Sequence, residues 1–268
     1  MTVSVITIAR GRLEHLCNQR RGLALQQTPP DEHIIVRMGG CDLRPALDPA
    51  PYPSILIDVA VDGDALPLAG ARNAGAQVAS GETMVFLDVD CVPDPCLIGA
   101  FAGSAGDGGL RSGPVWYLPP TARSETTDFD ELRKVGARHP AQPVVPPGGR
   151  MPLAPNLFWS LNFAVEPACL LNVLGGFDER YVGYGAEDTD LAWTAAARGV
   201  PLTHIADAQA FHQHHPSPSP PLQHIDAIVR NATLFHAKWG VWPMLGWLER
   251  FAELELIRLH DDRIERIA

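Results

Sequence analysis

Four short apolar runs, residues 3–8, 33–38, 55–59 and 83–87, alternate with stretches of helical spacing at 13–27 and 67–79. The runs are rich in Val and Ile and are bounded by turn-forming or charged residues, as buried strands are. Pro67 stands near the start of the second helix, where its missing N–H is tolerated. Strands alternating with helices pack as a parallel sheet with right-handed crossovers and helices on both faces. The expected fold class is α/β, with a mostly parallel, Rossmann-like central sheet flanked by helices. Ligands of such sheets bind beyond the carboxyl ends of the strands. Arg10-Gly11-Arg12 follows one such end, and Asp88-Val89-Asp90 follows another.

The Asp88-Val89-Asp90 segment closes an apolar run and meets Cys91-Val92-Pro93. Paired carboxylates at a sheet edge suit magnesium or manganese, hard ions that bridge a protein carboxylate and a substrate diphosphate. The same residues also serve ordinary turns, because Asp accepts backbone hydrogen bonds and starts loops.

Charge narrows the function classes. The chain has 21 Lys and Arg against 31 Asp and Glu, a net charge of −10. That balance argues against a nucleic-acid groove and against non-specific binding to anionic membranes, so an anionic substrate needs a local positive site. No stretch is long and apolar enough to span a bilayer, and the N-terminal residues lack the pattern of a secretory leader. The five cysteines have no paired C-x-x-C spacing and suggest neither a disulfide framework nor a zinc site. A cytoplasmic location is expected.

Residues 118–155, with Pro119-Pro120, Pro146-Pro147 and Gly148-Gly149, read as a long surface insertion. A strand is expected over 157–165 and a short helix near 167–172. A Pro/Ser stretch at 216–221 ends a main domain, 1–221, and precedes a C-terminal helical extension, 222–268, with helices over 222–239 and 243–259. Its Trp239, Trp242, Trp247 and Phe251 are expected to pack on the domain as an amphipathic surface, with a homodimer contact or a membrane surface as the alternatives.

Further constellations bear chemistry. Glu187-Asp188-Thr189-Asp190 opens a helix expected over 187–198 and follows Gly183-Tyr184-Gly185-Ala186. Acids in a first helical turn complement the helix dipole whatever the function. Here the glycines and the aromatic allow a loop to pack on a ligand ring while a carboxylate enters from the helix N-terminus, placed to act as a general base. Phe211-His212-Gln213-His214-His215 reads as a strand end. Period-two spacing puts His212 and His214 on one face, either to share a metal or as a solvated surface. Arg72 follows Leu68-Ala69-Gly70-Ala71; it meets a phosphate or the acids of a metal site, or forms a buried structural ion pair. Arg10 and Arg12 are candidates for nucleotide contact, with solvated loop charge as the default.

In this order the segments resemble the GT-A-fold nucleotide-sugar glycosyltransferases, particularly the family-two group and the β-1,4-galactosyltransferases. Arg10-Gly11-Arg12-Leu13 resembles their arginine-bearing nucleotide segment, and Ala71-Arg72-Asn73-Ala74-Gly75 the helix before the metal strand. Phe86-Leu87-Asp88-Val89-Asp90 matches the D-x-D element, and Asn162-Phe163-Ala164-Val165 with Gly175-Gly176-Phe177-Asp178-Glu179 the acceptor-side strand and loop. Gly185-Ala186-Glu187-Asp188 is similar to the acidic helix start, and His212-Gln213-His214 to the late histidine ligands. Ala186 departs from the Gly that galactosyltransferases often carry there. The resemblance is weak over 118–155 and does not place the tail.

The resemblance implies a metal-dependent, inverting transfer of a sugar from a nucleoside-diphosphate-sugar, a UDP-sugar being favoured, to an acceptor hydroxyl. Asp90 with His212 or His214 would hold Mn2+ or Mg2+. Arg10, Arg12, Arg72, Asp88, Asn162, Gly183 and Tyr184 would bind donor and nucleotide. Asp188 would be the general base and Glu187 would orient a sugar. Nucleotidyl transfer to a sugar phosphate is a second reading, but Ala9-Arg10-Gly11-Arg12 lacks the Gly-rich phosphate loop it needs. A non-catalytic sugar-nucleotide-binding scaffold is the third.

Overall fold

The computed structural model describes residues 1–47, 49–123, 128–216 and 218–267. The first part of the chain forms β1 (Val3–Ala9), α1 (Leu13–Ala24), β2 (Glu32–Arg37), β3 (Ser54–Asp58), α2 (Leu68–Val78) and β4 (Thr83–Leu87). Every residue of β1 and β4 is buried, which explains their near-continuous apolar sequences. β1 lies between β2 and β4 and runs parallel to both, with Ile6 opposite Ile34 and Phe86. β3 continues the parallel set beyond β2. Polar residues inside this sheet are paired, Ser4 Oγ donating to Glu32 at 2.5 Å and Thr7 Oγ1 to Gln19 at 3.0 Å. Because β1 and β4 are parallel neighbours, Arg10-Gly11-Arg12 and Asp88-Val89-Asp90 leave the sheet side by side.

Next come β5 (Cys91–Pro93), α3 (Leu97–Gly103), β6 (Leu110–Ser112), β7 (Val115–Tyr117), α4 (Phe129–Val135), β8 (Ala137–Arg138), β9 (Arg150–Pro152), β10 (Asn162–Val165), α5 (Glu187–Ala197), β11 (Leu202–Ile205) and β12 (Ala210–His212). The main sheet has the order β3-β2-β1-β4-β10-β6-β11-β9. β10 is antiparallel to β4 and β6, and β9 is antiparallel to β11, so the sheet is mixed beyond its parallel half. A smaller sheet, β5-β12-β7-β8, starts directly after Asp90. There β12 pairs with β5 so that His212 stands opposite Cys91, which brings the late histidines to the end of β4.

Three expectations need correction. The strand expected over 157–165 begins only at Asn162, because Pro155–Leu157 forms a 3-10 turn whose first residue is Pro. The region 118–155 contains elements of its own: Asp128 caps α4 by accepting the Glu131 N–H at 3.0 Å, and Leu118, Phe129 and Leu132 pack with Val92 and Phe211. In the tail, α6 (Ile225–Trp239) is as expected, but the second helix, α7 (Leu245–Glu253), stops early. Glu255 takes a left-handed backbone, φ 57°, and the alternating sequences of β13 (Ile257–Leu259) and β14 (Ile264–Arg266) then pair as an antiparallel hairpin.

The tail packs on the rest of the chain. Phe235 of α6 meets Tyr181 and Ala186, with Trp193 and Trp239 against them. Asp190 of α5 is 2% exposed and accepts hydrogen bonds from Tyr181 Oη (3.1 Å), Trp239 Nε1 (2.7 Å) and Lys238 Nζ (2.8 Å). A buried carboxylate needs such partners, and here they bolt α5 to α6. Among the described residues no helix is long and apolar enough to cross a membrane.

Candidate active site

A cleft of about 1470 Å³ opens over the carboxyl ends of β1 and β4. Arg10, Arg12, Asp88 and Asp90 line it, with Glu187 and Asp188 and with tail residues from His224 to Trp247. Strand adjacency therefore brings together most of the residues singled out from the sequence.

The backbone of Asp88 is fixed before its side chain acts: its N–H donates to Leu161 C=O at 2.9 Å and its own C=O accepts Gln19 Nε2 at 2.7 Å. Asp90 is 8% exposed. Its Oδ2 accepts Arg12 Nη1 at 2.8 Å and faces His215 Nε2 at 3.4 Å, while Oδ1 faces His212 Nε2 at 3.5 Å. Burial opposes its charge, but the hydrogen bond from His215 and the charges of His212 and Arg12 hold its pKa below the usual carboxylate range.

The histidine pairing differs from the period-two expectation. β12 ends at His212, so strand alternation does not continue to His214, which is exposed, and His215 turns back to Asp90 instead. Gln213 sets this path. It is 2% exposed; its N–H donates to Asp90 C=O at 2.7 Å, its Nε2 to His15 C=O at 3.0 Å, and its Oε1 accepts Asn18 Nδ2 at 2.8 Å.

One ligand atom from each of Asp90, His212 and His215 lies within 4.8 Å of the others. These three side chains are the ones that would hold a single divalent ion here. Burial lowers the His212 pKa against the pull of Asp90, which favours the neutral imidazole that ligates metals. The donor set of one carboxylate and two imidazoles thus fits a divalent ion such as manganese.

Arg72, 4% exposed, bridges two acids, with Nη1 to Glu187 Oε1 at 3.0 Å and Nη2 to Asp88 Oδ1 at 3.2 Å. Burial raises the pKa of both carboxyls; Arg72 pulls each down, whereas Asp188 pushes Glu187 further up and Asp90 does the same to Asp88. Glu187 Oε2 is buried without a protein hydrogen-bond partner and belongs to the cleft wall. Asp188, next to it at the start of α5, is half-buried, its Oδ1 accepting the Thr189 N–H at 2.7 Å and its Oδ2 the Ser160 N–H at 3.3 Å.

Gly183 and Tyr184 line the cleft, and Tyr184 stacks between His224 (4.9 Å) and Trp247 (5.7 Å). Their loop touches the tail so closely that a Cβ on Gly185, φ +96°, would meet Met244 Sδ at 2.7 Å. Arg10 also lines the cleft, its Nη1 3.4 Å from Asp64 C=O. Asn162 does not line it: it pairs with Leu87 in the sheet and its Nδ2 donates to Ala208 C=O at 2.7 Å. That bond crosses to the β11–β12 connection and braces the sheet beneath the site.

Sequence reasoning left open which of His212, His214 and His215 binds a metal, and missed the part of Gln213 and the cleft wall made by the tail. It also missed Asn231, fully buried, whose Nδ2 donates to the carbonyls of Val182, Tyr184 and Gly185 at 3.2, 3.3 and 2.9 Å. An amide buried on an otherwise apolar helix face was the available signal for that clamp.

No family model matches the chain. Validoxylamine A glucosyltransferase of Streptomyces hygroscopicus subsp. jinggangensis is 31% identical over 51% of the chain and 36% of its own length. The protein of the same name from subsp. limoneus is also 31% identical, over 34% of its length. The chain thus spans about a third of the length of the curated relatives it matches. Among solved structures, residues 1–349 of S. aureus TarS overlap 80% of the chain, which covers 60% of that fragment, with a TM-score of 0.56 at 14% identity. GalNAc-T7, solved with UDP, GalNAc and Mn2+, overlaps 94% of the chain and 57% of its own, with a TM-score of 0.60 at 14% identity. Overlap this wide at so little identity is a statement about architecture, and the chain has the GT-A fold of the glycosyltransferases.

Proposed function

We propose that the cleft transfers a sugar from a nucleoside-diphosphate-sugar to an acceptor hydroxyl, with inversion at the anomeric carbon and with a divalent cation bound. The observation that carries this reading is the convergence of Asp90, His212 and His215 at the end of β4, in one cleft with Asp188 at the N-terminus of α5. The solved relatives add support, one TarS structure being a complex with UDP-GlcNAc and the GalNAc-T7 structure holding UDP and Mn2+. UDP is accordingly the favoured nucleotide.

Asp90, His212 and His215 would hold the cation, and Asp88, anchored by Arg72, would face the donor ribose or the ion's water. When bound, the cation stabilises the negative charge that builds on the departing diphosphate. Arg10 and Arg12 bring positive charge to the same end of the cleft in a chain that is otherwise acidic. The Thr189 and Ser160 N–H groups fix the plane of the Asp188 carboxylate, leaving it lone pairs to accept the proton of the attacking hydroxyl. Burial keeps Glu187 readily protonated, so its Oε2 can donate to a sugar oxygen. One base opposite one leaving group gives direct displacement and hence inversion.

Calorimetric titration with UDP tests the metal centre. Binding is expected to tighten when Mn2+ replaces chelator, and Asp90→Asn is expected to remove that gain. Equal UDP affinity in Mn2+ and in chelator for the unaltered protein rejects the proposed metal centre.

A further inference from the structure

The carboxylate at the centre of the proposed metal site already has a cation bound to it. Arg12 Nη1 donates to Asp90 Oδ2 at 2.8 Å, the same oxygen that faces His215 at 3.4 Å. Arg12 is held there by an uncommon backbone: it precedes α1 in the left-handed region, φ 57°, directly after Gly11 at φ +66°. A non-glycine residue in that region is sterically disfavoured and marks a position that the surroundings over-determine. The side chain itself is 35% exposed and lines the cleft, so it has room to move.

A divalent ion drawn to Asp90, His212 and His215 meets the Arg12 guanidinium at the shared carboxylate. Guanidinium cannot lose its proton to relieve the repulsion, and a carboxylate 8% exposed lies where screening by salt is weak. Arg12 and the ion therefore compete for Asp90. A diphosphate resolves the competition, since its oxygens both ligate the ion and accept a forked pair of hydrogen bonds from an arginine.

We propose that Arg12 couples the two ligands: it opposes metal binding at Asp90 until a nucleoside diphosphate receives it, so this side chain adds to whatever cooperativity direct ligation of the ion by the diphosphate supplies. The inference rests on the metal and nucleotide reading of the cleft. By linkage, whatever factor the nucleotide adds to metal affinity the metal adds to nucleotide affinity.

The test is calorimetric titration of MnCl2 into the full chain, with and without UDP, for the wild type, Arg12→Gln, Arg12→Gly and Asp90→Asn. Gly accepts the left-handed backbone without strain, so at least one Arg12 variant keeps the fold, as a thermal melt will show. Mn2+ alone is expected to bind both Arg12 variants about tenfold more tightly than wild type, the scale of one charge-assisted hydrogen bond to a carboxylate. The enhancement of Mn2+ affinity by UDP is expected to shrink in both. Unchanged Mn2+ affinity in both Arg12 variants, with binding lost in Asp90→Asn, overturns the role of Arg12 and leaves the metal centre standing. Tighter Mn2+ binding with an undiminished UDP effect overturns the coupling. No Mn2+ binding to any form, with or without UDP, rejects the metal centre and this inference together.

Discussion

Asp188→Asn is expected to lower the proposed sugar transfer by about 10²- to 10⁴-fold, the usual contribution of a positioned general base, with UDP binding retained. The substitution is nearly isosteric. The Asn carbonyl oxygen can still accept the Thr189 N–H, the shorter of the two backbone contacts at 2.7 Å, and only the 3.3 Å contact with Ser160 is sacrificed. The loss should fall on kcat with little change in KM, because the proton is accepted only as the bond forms. Glu187→Gln, which keeps a hydrogen-bond donor on the cleft wall, is expected to cost less. Steady-state kinetics of the two variants side by side decides the assignment: full kcat in Asp188→Asn removes it from the role of base.

Arg72→Met is expected to destabilise the protein by roughly 3–5 kcal/mol, the cost of leaving buried charge without its partner. Arg72 is 4% exposed and is shared by Asp88 and Glu187, so its loss strands two carboxyls rather than one. The pH dependence gives the effect a signature. Both carboxyls have pKa values raised by burial, and an acid whose folded pKa lies above its unfolded one binds more protons when folded. Its contribution to stability is full below the ordinary carboxylate range and is lost as pH rises through the folded value. In the wild type Arg72 limits this loss. Without it both pKa values climb further, so the variant should lose stability more steeply than the wild type between about pH 6 and about pH 8. Urea unfolding at the two ends of that range measures the difference. A destabilisation equal at both would assign the loss to packing, such as the guanidinium over the Phe177 ring at 5.5 Å.

Local pattern carried the parallel half of the sheet. β1 and β4 are buried along their whole length, so apolar continuity marked them, and parallel adjacency then placed Arg12 beside Asp90. What depended on irregular backbone was not legible. Periodicity pointed to His214, but a strand that ends at His212 leaves the next residues to be directed by Gln213 and its bonds to Asp90 and His15. Asn162 was read by position in a motif, whereas its side chain is claimed by Ala208 C=O. The tail shows no pattern that announces a cleft wall, because its contribution comes from packing on Tyr184, Ala186 and Asp190, residues far away in sequence. Ala186, at φ 74°, shows why a Gly is often expected at that position: the backbone is left-handed whichever residue stands there.

The most direct measurement is release of nucleoside diphosphate from a panel of nucleotide-sugars, with Mn2+ or with chelator, by the wild type and by Asp90→Asn and Asp188→Asn. The wild type is expected to release nucleoside diphosphate from at least one UDP-sugar in Mn2+, with release strongly reduced by chelator and by either substitution. The proposed function is contradicted if the folded wild type releases nothing from any nucleotide-sugar while binding none of them, or if release proceeds equally in chelator and in both variants.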